Sequence, residues 1–425
     1  MNPLRPLVGL AAALAAFSFA SPARAADPAS AKPPTVITAP TGHKTNYDEA
    51  KVGTYTLPNP LILNDGEPVR DSATWYQKRR PEILELYRRT IYGRIPANAP
   101  KPAAEVETID PNSSGGSAVR KLVLIRFGLA PDAPFIRLVI YLPAHRTAPV
   151  PVLLQLAFNA ELPPASNPTL GSEKVPPAKE LAHLADILAH GYAYAIYLYS
   201  DLQTDKAMTR SSGIEALTAR PGGSPAPDDW GAIGVWAWGA SRVLDYLESD
   251  PDVNAKKVAL IGHSRLGKTV LWAGAEDPRF AVIFASCPGE LGASISRRDY
   301  GETVDDLVSR YSWWFAPAFT QYAGHWDDLP VDAHMLIALN APRPVFITAG
   351  SGDQWADPKG EFLGEVAAGP VYRLVGARDL GATEMPPQET DVDSGDLAFR
   401  YHTGPHAIVP SDWKAFLNFA DRYLR

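Results

Sequence analysis

Apolar residues recur along the chain in two patterns, short continuous runs and positions at helical spacing. The runs predict strands over 119–127, 135–142, 150–156, 192–199, 258–261, 281–286 and 344–349. The helical spacing predicts helices over 75–92, 232–247, 267–274 and 413–424. Because strands alternate with helices, we expect an α/β protein whose largely parallel sheet is covered on both faces.

The N-terminal residues follow a different pattern from the rest of the chain. A positive residue, an apolar run and an Ala-Arg-Ala cleavage sequence predict a signal peptide over 1–25 and a secreted or periplasmic protein. Residues 26–54 lack periodicity, which predicts a flexible leader. We expect one folded domain over 55–425. Within it, segments 201–229 and 297–332 are too long for plain connections, and we expect them to form walls of a site.

Composition narrows the class of protein. The net charge of −7 argues against a nucleic-acid or anionic-membrane partner. No segment after the signal peptide reaches the roughly 18 apolar residues that a membrane span needs. Cys287 is the one cysteine, so it has no intramolecular disulfide partner, and we expect a small buried side chain. No Cys/His cluster or phosphate-binding glycine loop is present, so we expect neither metal nor cofactor.

The segment 258–268 carries the strongest chemical signal. An apolar strand run ends at Gly262, Ser264 follows on a turn, and a helix-like stretch comes next. A serine between a strand and a helix is the nucleophile elbow of the α/β-hydrolase fold, a three-layer sandwich. The spacing is Gly-x-Ser-x-x-Gly rather than the usual Gly-x-Ser-x-Gly, because Leu266 precedes Gly267.

A nucleophilic serine needs a base and an acid, which follow it in chain order on this fold. His406 lies in a Gly/Pro loop before the last helix, and we prefer it to His402 as the base. Two loops that follow strands offer the acid, one with Asp353 and one with Glu290. Both loops are expected at the carboxyl edge of the sheet. Asp357 is a third carboxylate, but Pro358 follows it, and Asp-Pro is typical of a turn or a helix start. We favour Asp353.

Two cations flank the serine, Arg265 and Lys268. Cations at a helix start oppose the helix dipole, so their presence beside a nucleophile indicates an anionic or electron-rich substrate. Arg265 is placed to donate to an oxyanion, and Lys268 to reach a sugar hydroxyl or carboxylate.

Several blocks in order make the chain resemble the bacterial glucuronoyl esterases of carbohydrate esterase family 15. The blocks include residues 79–83, 92–94, 230–234, the Ser-Arg-x-Gly-Lys sequence at 264–268, 296–304, 329–336, 341–344 and 355–362. The resemblance implies hydrolysis of the ester between 4-O-methyl-glucuronic acid on xylan and a lignin alcohol. We expect a monomer.

The resemblance also implies residue roles. Ser264 would be the nucleophile, His406 the base and Arg265 an oxyanion stabiliser. The remaining implied residues hold the glucuronate ring: Lys268, Glu302 and Trp355.

One departure from the family concerns the acid. Cys287 stands where many members carry a glutamate, and Glu290 lies three residues later. Members that lack this glutamate carry an aspartate that Asp353 matches. We therefore predict a Ser264–His406–Asp353 triad and keep Glu290 as the alternative acid.

Two other functions remain open. An acetyl xylan or general carbohydrate esterase would share the fold, since a fold alone does not set the substrate. A carbohydrate-binding relative without catalysis would share it too, although the serine, histidine and acid in fold order argue against this.

Overall fold

The computed structural model describes residues 34–130, 133–158, 182–207, 209–219 and 222–425. The predicted signal peptide over 1–25 lies outside these residues. The strands are β1 (Ala103–Ser113), β2 (Ala118–Arg126), β3 (Phe135–Pro143), β4 (Val150–Ala157), β5 (Ala193–Leu198), β6 (Val253–His263), β7 (Val282–Ser286), β8 (Val345–Gly350), β9 (Thr390–Val392) and β10 (Leu397–His402). The helices are α1 (Ser72–Thr74), α2 (Arg80–Thr90), α3 (Leu184–Ala189), α4 (Gly213–Thr218), α5 (Ala232–Leu247), α6 (Arg265–Glu276), α7 (Val304–Tyr311), α8 (Ala333–Ala338), α9 (Pro358–Leu374) and α10 (Pro410–Leu424).

The strands form one sheet in the order β1-β2-β3-β5-β4-β6-β7-β8-β10-β9. Neighbouring strands from β5 to β10 run parallel. The pairs from β1 to β5 at one side and the β10–β9 pair at the other are antiparallel. The prediction of a mostly parallel α/β-hydrolase sheet is therefore confirmed.

Alternation along β6 shows how the sheet is buried on both faces. Val258 and Leu260 point into one apolar core, together with side chains of α5, α6, α8 and α9. Ala259 and Ile261 point into a second core, closed by α3 and α10. A strand with both faces covered reads as a continuous apolar run, which is why the sequence shows no polar alternation here.

The helix predicted over 75–92 is present, but it is not α-helical throughout. It begins earlier, with α1, continues as a π-helical segment at Trp75–Arg79, and becomes α-helical again in α2 from Arg80. The π-helical segment buries both Trp75 and Arg79. No helix in the described parts of the chain combines the length and the apolar character that a membrane crossing needs.

Residues 34–54 differ from the predicted flexible leader. Thr41 donates to a carboxylate oxygen of Asp305 at 2.6 Å, and the Asn46 side chain donates to the carbonyl of Asp299 at 2.7 Å. The ordering rests on polar contacts with residues more than 250 positions away, which apolar periodicity does not reveal. The folded part of the described chain thus begins before residue 55.

Candidate active site

Ser264 occupies a sharp turn between β6 and α6. Its backbone has φ 60° and ψ −129°, a left-handed conformation that is costly for a residue with a side chain. The Ser264 N–H donates to the carbonyl of Ser286 at 2.8 Å, and its own carbonyl accepts from Gly267 at 2.7 Å. These bonds hold the strained residue at the carboxyl edge of the sheet, where ligands bind in parallel α/β folds.

Close packing requires the first glycine of the elbow motif and leaves little room at the second. A Cβ on Gly262 would lie 2.2 Å from the carbonyl oxygen of Leu266, and a Cβ on Gly267 would lie 3.1 Å from the carbonyl oxygen of Ser286. Leu266 is fully buried, so its side chain packs in the core while its backbone crosses Gly262. The extra residue in the motif therefore moves the second glycine to the position that faces β7.

His406 and Asp353 lie together. His406 Nδ1 is 2.5 Å from Asp353 Oδ2, and the Asp353 side chain is 6% exposed while that of His406 is 40% exposed. The Nδ1 hydrogen bond leaves Nε2 as the free nitrogen of the ring. His406 packs against His263, the residue before the serine, with ring centroids 4.4 Å apart. The histidine and its carboxylate partner therefore lie beside the residue that precedes Ser264.

His402, the alternative base, is placed elsewhere. It is fully buried, its Nδ1 lies 3.0 Å from a carboxylate oxygen of Asp412, and its Nε2 lies 3.1 Å from the carbonyl of Pro405. His402 therefore supports the loop that leads to His406 and does not reach the cleft.

Cys287 lies beside the histidine and its carboxylate partner. Cys287 Sγ, a carboxylate oxygen of Asp353 and a ring nitrogen of His406 all lie within 4.8 Å of one another. Cys287 is 1% exposed, as expected for a small buried side chain. Burial, followed by the charges of Glu361 and Asp353, raises the pKa of its thiol well above the ordinary value, so the thiol stays protonated.

Glu290 makes no hydrogen bond or ion pair with His406 among the described residues. It is 2% exposed, and burial raises the pKa of its carboxyl well above the usual range, which disfavours the charged form. The third carboxylate, Asp357, accepts from the Arg298 guanidinium at 2.7 Å. Asp353 is the one of these three carboxylates that lies against His406, and its role as triad acid stays a prediction.

The Arg265 guanidinium lies in an aromatic and acidic pocket. Its centre is 5.0 Å from the Phe158 ring and 5.1 Å from the Trp314 ring, and Nη1 is 3.2 Å from Asp205 Oδ2. The Trp313 indole donates to the same carboxylate at 2.9 Å. The predicted insert 201–229 therefore supplies a carboxylate to the wall of the cleft.

Lys268, Glu302 and Trp355 come together beside the elbow. Lys268 Nζ donates to the carbonyl of Pro288 at 2.7 Å and lies 3.6 Å from Glu302 Oε2. The Glu302 N–H donates to the carbonyl of Trp355 at 2.7 Å. Burial raises the pKa of Glu302, and the nearby Lys268 opposes this shift. A cation and an acid are thus held next to Trp355, whose ring has the Arg310 guanidinium 5.8 Å from its centroid.

Both cations of the elbow thus have a carboxylate neighbour within the protein. Asp205 faces Arg265, and Glu302 faces Lys268. These partners offset the unfavourable interaction with the helix dipole. The dipole argument from the sequence therefore does not by itself require an anionic substrate.

Sequence reasoning missed Asp205, Phe158 and Tyr199. Phe158 and Asp205 contact Arg265, and the Tyr199 hydroxyl donates to Asp205 at 3.4 Å. They carry no spacing signal, because Arg265 lies 60 or more residues further on. The placement of the insert 201–229 at a wall was the one available sign.

Several known proteins are similar to this chain in sequence and in structure. Residues 225–376 match the family model described as glucuronyl esterase of fungi. The chain is 43% identical to the glucuronoyl esterase of Solibacter usitatus, with 88% of this chain and 99% of that chain covered and a TM-score of 0.80. It is 38% identical to a promiscuous CE15 esterase from a marine bacterial metagenome, with 89% and 100% covered and a TM-score of 0.80. It is 30% identical over 333 residues to the 4-O-methyl-glucuronoyl methylesterase of Schizophyllum commune, with 75% of this chain and 74% of that protein covered.

A strained serine between β6 and α6, on a sheet that is mostly parallel, places the chain among the carboxylic ester hydrolases of the α/β-hydrolase fold. The similarity extends over nearly the whole length of the solved bacterial relatives. The chain belongs to the glucuronoyl esterases, carbohydrate esterase family 15, which confirms the resemblance read from the sequence.

Proposed function

We propose that the chain hydrolyses esters of glucuronic acid, including the 4-O-methyl-glucuronoyl esters that join glucuronoxylan to lignin alcohols. The observation that carries this proposal is the meeting of Lys268, Glu302 and Trp355 beside the elbow serine. A sugar ring with several hydroxyls needs charged hydrogen-bonding partners and an apolar face, and this set supplies both. The printed names of the Solibacter and Schizophyllum relatives refer to glucuronoyl esters, which supports the same substrate class.

The proposed reaction is acyl transfer through an enzyme ester. Ser264 Oγ attacks the carbonyl carbon of the glucuronoyl ester while His406 Nε2 takes the hydroxyl proton. Asp353 accepts from His406 Nδ1 and stabilises the imidazolium that forms. The C–O bond to the alcohol breaks, and His406 returns the proton to the leaving oxygen. Water then repeats the sequence and releases free glucuronate.

Charge that develops on the carbonyl oxygen needs donors at the elbow. The first backbone N–H groups of a helix have no partner within the helix, and α6 begins with Arg265. We assign the Arg265 backbone N–H and its guanidinium to the oxyanion, since fixed donors act most strongly where charge appears only in the transition state.

A broader ester hydrolase is the second candidate. The marine metagenome relative is described as promiscuous, and it shares 38% of its residues with this chain. A broader enzyme would use the same serine and histidine but would gain little from Lys268 and Glu302.

Comparison of two esters separates these candidates. We expect kcat/KM for benzyl glucuronate to exceed that for p-nitrophenyl acetate, and Lys268→Met to lower the first value more than the second. Equal or higher efficiency on the acetate would favour the broader enzyme. A serine-directed phosphonate that fails to label Ser264 would favour a carbohydrate-binding protein without catalysis.

The site of action and the assembly state belong to the same proposal. The N-terminal signal pattern supports a secreted or periplasmic location. A monomer is expected, and size-exclusion chromatography with light scattering checks it.

A further inference from the structure

Four polar donors converge on the carboxylate of Asp205. The indoles of Trp313 and Trp314 donate to Oδ1 at 2.9 and 2.6 Å. Arg265 Nη1 lies 3.2 Å from Oδ2, and the Tyr199 hydroxyl donates to Oδ2 at 3.4 Å. These donors come from the end of β5, the start of α6 and the segment after α7. One carboxylate therefore joins three separate parts of the cleft wall.

The contacts fix the orientation of the Arg265 guanidinium. Phe158 and Trp314 each present a ring about 5 Å from its centre, which restrains the plane of the group. Asp205 binds one edge of that plane and prevents rotation within it. An arginine side chain without such partners loses considerable rotamer freedom when it is held for a reaction. Here the orientation is set before substrate arrives, and this is what stabilisation of an oxyanion needs.

The charge of Asp205 has a second consequence, which concerns the product. The ester is neutral, the tetrahedral intermediate carries an oxyanion, and the released glucuronate is a carboxylate. An unpaired guanidinium would bind the carboxylate product strongly through paired hydrogen bonds. A guanidinium already paired with Asp205 still has N–H donors, but its positive charge is partly neutralised. It therefore binds a free carboxylate product less tightly.

We propose that Asp205 is a positioning residue that orients the Arg265 guanidinium and balances its charge, so that the site favours the ester's transition state over the carboxylate product. This inference rests on the proposed function, in which Arg265 stabilises the oxyanion. It predicts that the loss of the Asp205 charge slows the reaction and at the same time tightens product inhibition.

Asp205→Asn keeps the shape of the side chain and removes its charge. We expect kcat on a glucuronate ester to fall about ten- to a hundredfold, the range for loss of a charge-assisted contact in an oxyanion site. We expect the inhibition constant of free glucuronate to fall severalfold, because Arg265 is then uncompensated. Asp205→Glu should restore part of kcat and return product inhibition to the wild-type value. Unchanged or weaker product inhibition in Asp205→Asn would overturn the proposal.

A double-variant comparison tests whether Asp205 acts through Arg265. In an Arg265→Gln background, Asp205→Asn should change kcat by less than about twofold, because the partner it orients is already lost. Losses that multiply in the double variant would show an independent role and contradict the proposal. Trp313→Phe is the matched control, since it removes one donor to Asp205 and keeps the charge pair, and its effect on product inhibition should be small.

The outcomes for this inference and for the proposed function are separable. If the wild type prefers p-nitrophenyl acetate to benzyl glucuronate, the proposed substrate is wrong. The same double-variant comparison, measured on the acetate, still decides whether Asp205 acts through Arg265. Thermal unfolding of each variant shows whether it is folded. If Asp205→Asn unfolds early, Asp205→Ser, which also removes the charge, replaces it in the comparison.

Discussion

At the scale of single residues, Asp353 and Glu290 differ in the surroundings of their carboxyl groups. Asp353 Oδ2 lies 2.5 Å from His406 Nδ1, whereas burial raises the pKa of Glu290 and disfavours its charged form. Asparagine at 353 cannot stabilise the imidazolium or favour the correct tautomer. We therefore expect Asp353→Asn to lower kcat on the order of 10³-fold or more, as loss of an orienting acid does in serine proteases. Steady-state kinetics on a glucuronate ester measure this.

Two variants control the assignment of the acid. Glu290→Gln should keep a kcat near that of the wild type, and an inactive Glu290→Gln beside a fully active Asp353→Asn would reverse the assignment. Cys287→Glu in the Asp353→Asn background should recover part of kcat, because Cys287 lies within 4.8 Å of both His406 and Asp353. A folded double variant without recovery would argue that position 287 cannot orient the histidine.

The sequence identified the residues that follow a motif and missed those that meet through folding. Ser264 is marked by its local strand-turn-helix pattern, and His406 by its position in a loop before the last helix. Asp205 has neither a motif nor a telling position, because its contacts with Arg265 and Trp313 form only in the folded chain. Spacing rules report contacts along one element, so contacts between inserts escape them.

At the scale of elements, residues 34–54 hold the segment that precedes Glu302. The carbonyl of Asn46 accepts from the Gly301 N–H at 2.9 Å, next to Glu302. Removal of residues 34–54 should therefore loosen the segment that carries Glu302. We expect KM for a glucuronate ester to rise about five- to tenfold, since each lost hydrogen bond is worth about 1 kcal/mol. Kinetics of the shortened and full chains give the comparison.

A point variant covers the case in which the shortened chain does not fold. Asn46→Ala removes the side-chain bond to the carbonyl of Asp299 and should raise KM in the same direction, by a smaller factor. Lys51→Ala is the matched control, because the Lys51 side chain is 73% exposed and pairs only with Asp48 in its own segment among the ion pairs of the described residues. An unchanged KM in both the shortened chain and Asn46→Ala would show that this segment does not shape the site.

Apolar patterning predicted β2 to β8 but missed the buried strand β10 as well as the edge strands β1 and β9. The strands β2 to β8 are buried runs, so their composition marks them. Strand β1 is almost wholly exposed and has no apolar face to detect. Helix α9 buries Glu361 and Glu365 and contains Pro370. Its sequence therefore lacks the separation of polar and apolar faces that marks an amphipathic helix. Burial of polar residues near the site is a tertiary effect that local patterns do not report.

At the scale of the whole molecule, the sheet brings distant residues to one edge. Strands β6, β7, β8 and β10 are parallel neighbours, and their carboxyl ends lead into the loops of Ser264, Cys287, Asp353 and His406. The strands predicted at β6, β7 and β8 indicated this edge from the sequence, whereas β10 was not predicted. The close packing of His263 on His406 was not predictable, since it depends on the width of the cleft between two loops.

The burial of His263 makes the stability of the molecule depend on pH. Burial, and next the nearby His406, lower the pKa of His263 to about 3 from its ordinary 6.5. The folded state therefore binds fewer protons than the unfolded state, so stability is full above pH 6.5 and falls as the pH drops towards 3. Between pH 7 and 5 this one residue should cost about 2 kcal/mol. In His263→Asn, the decrease in unfolding free energy over this range, measured by urea denaturation, should be smaller by about that amount. The exposed His145→Asn is the control, and an equal decrease in His263→Asn and the wild type would refute the assignment.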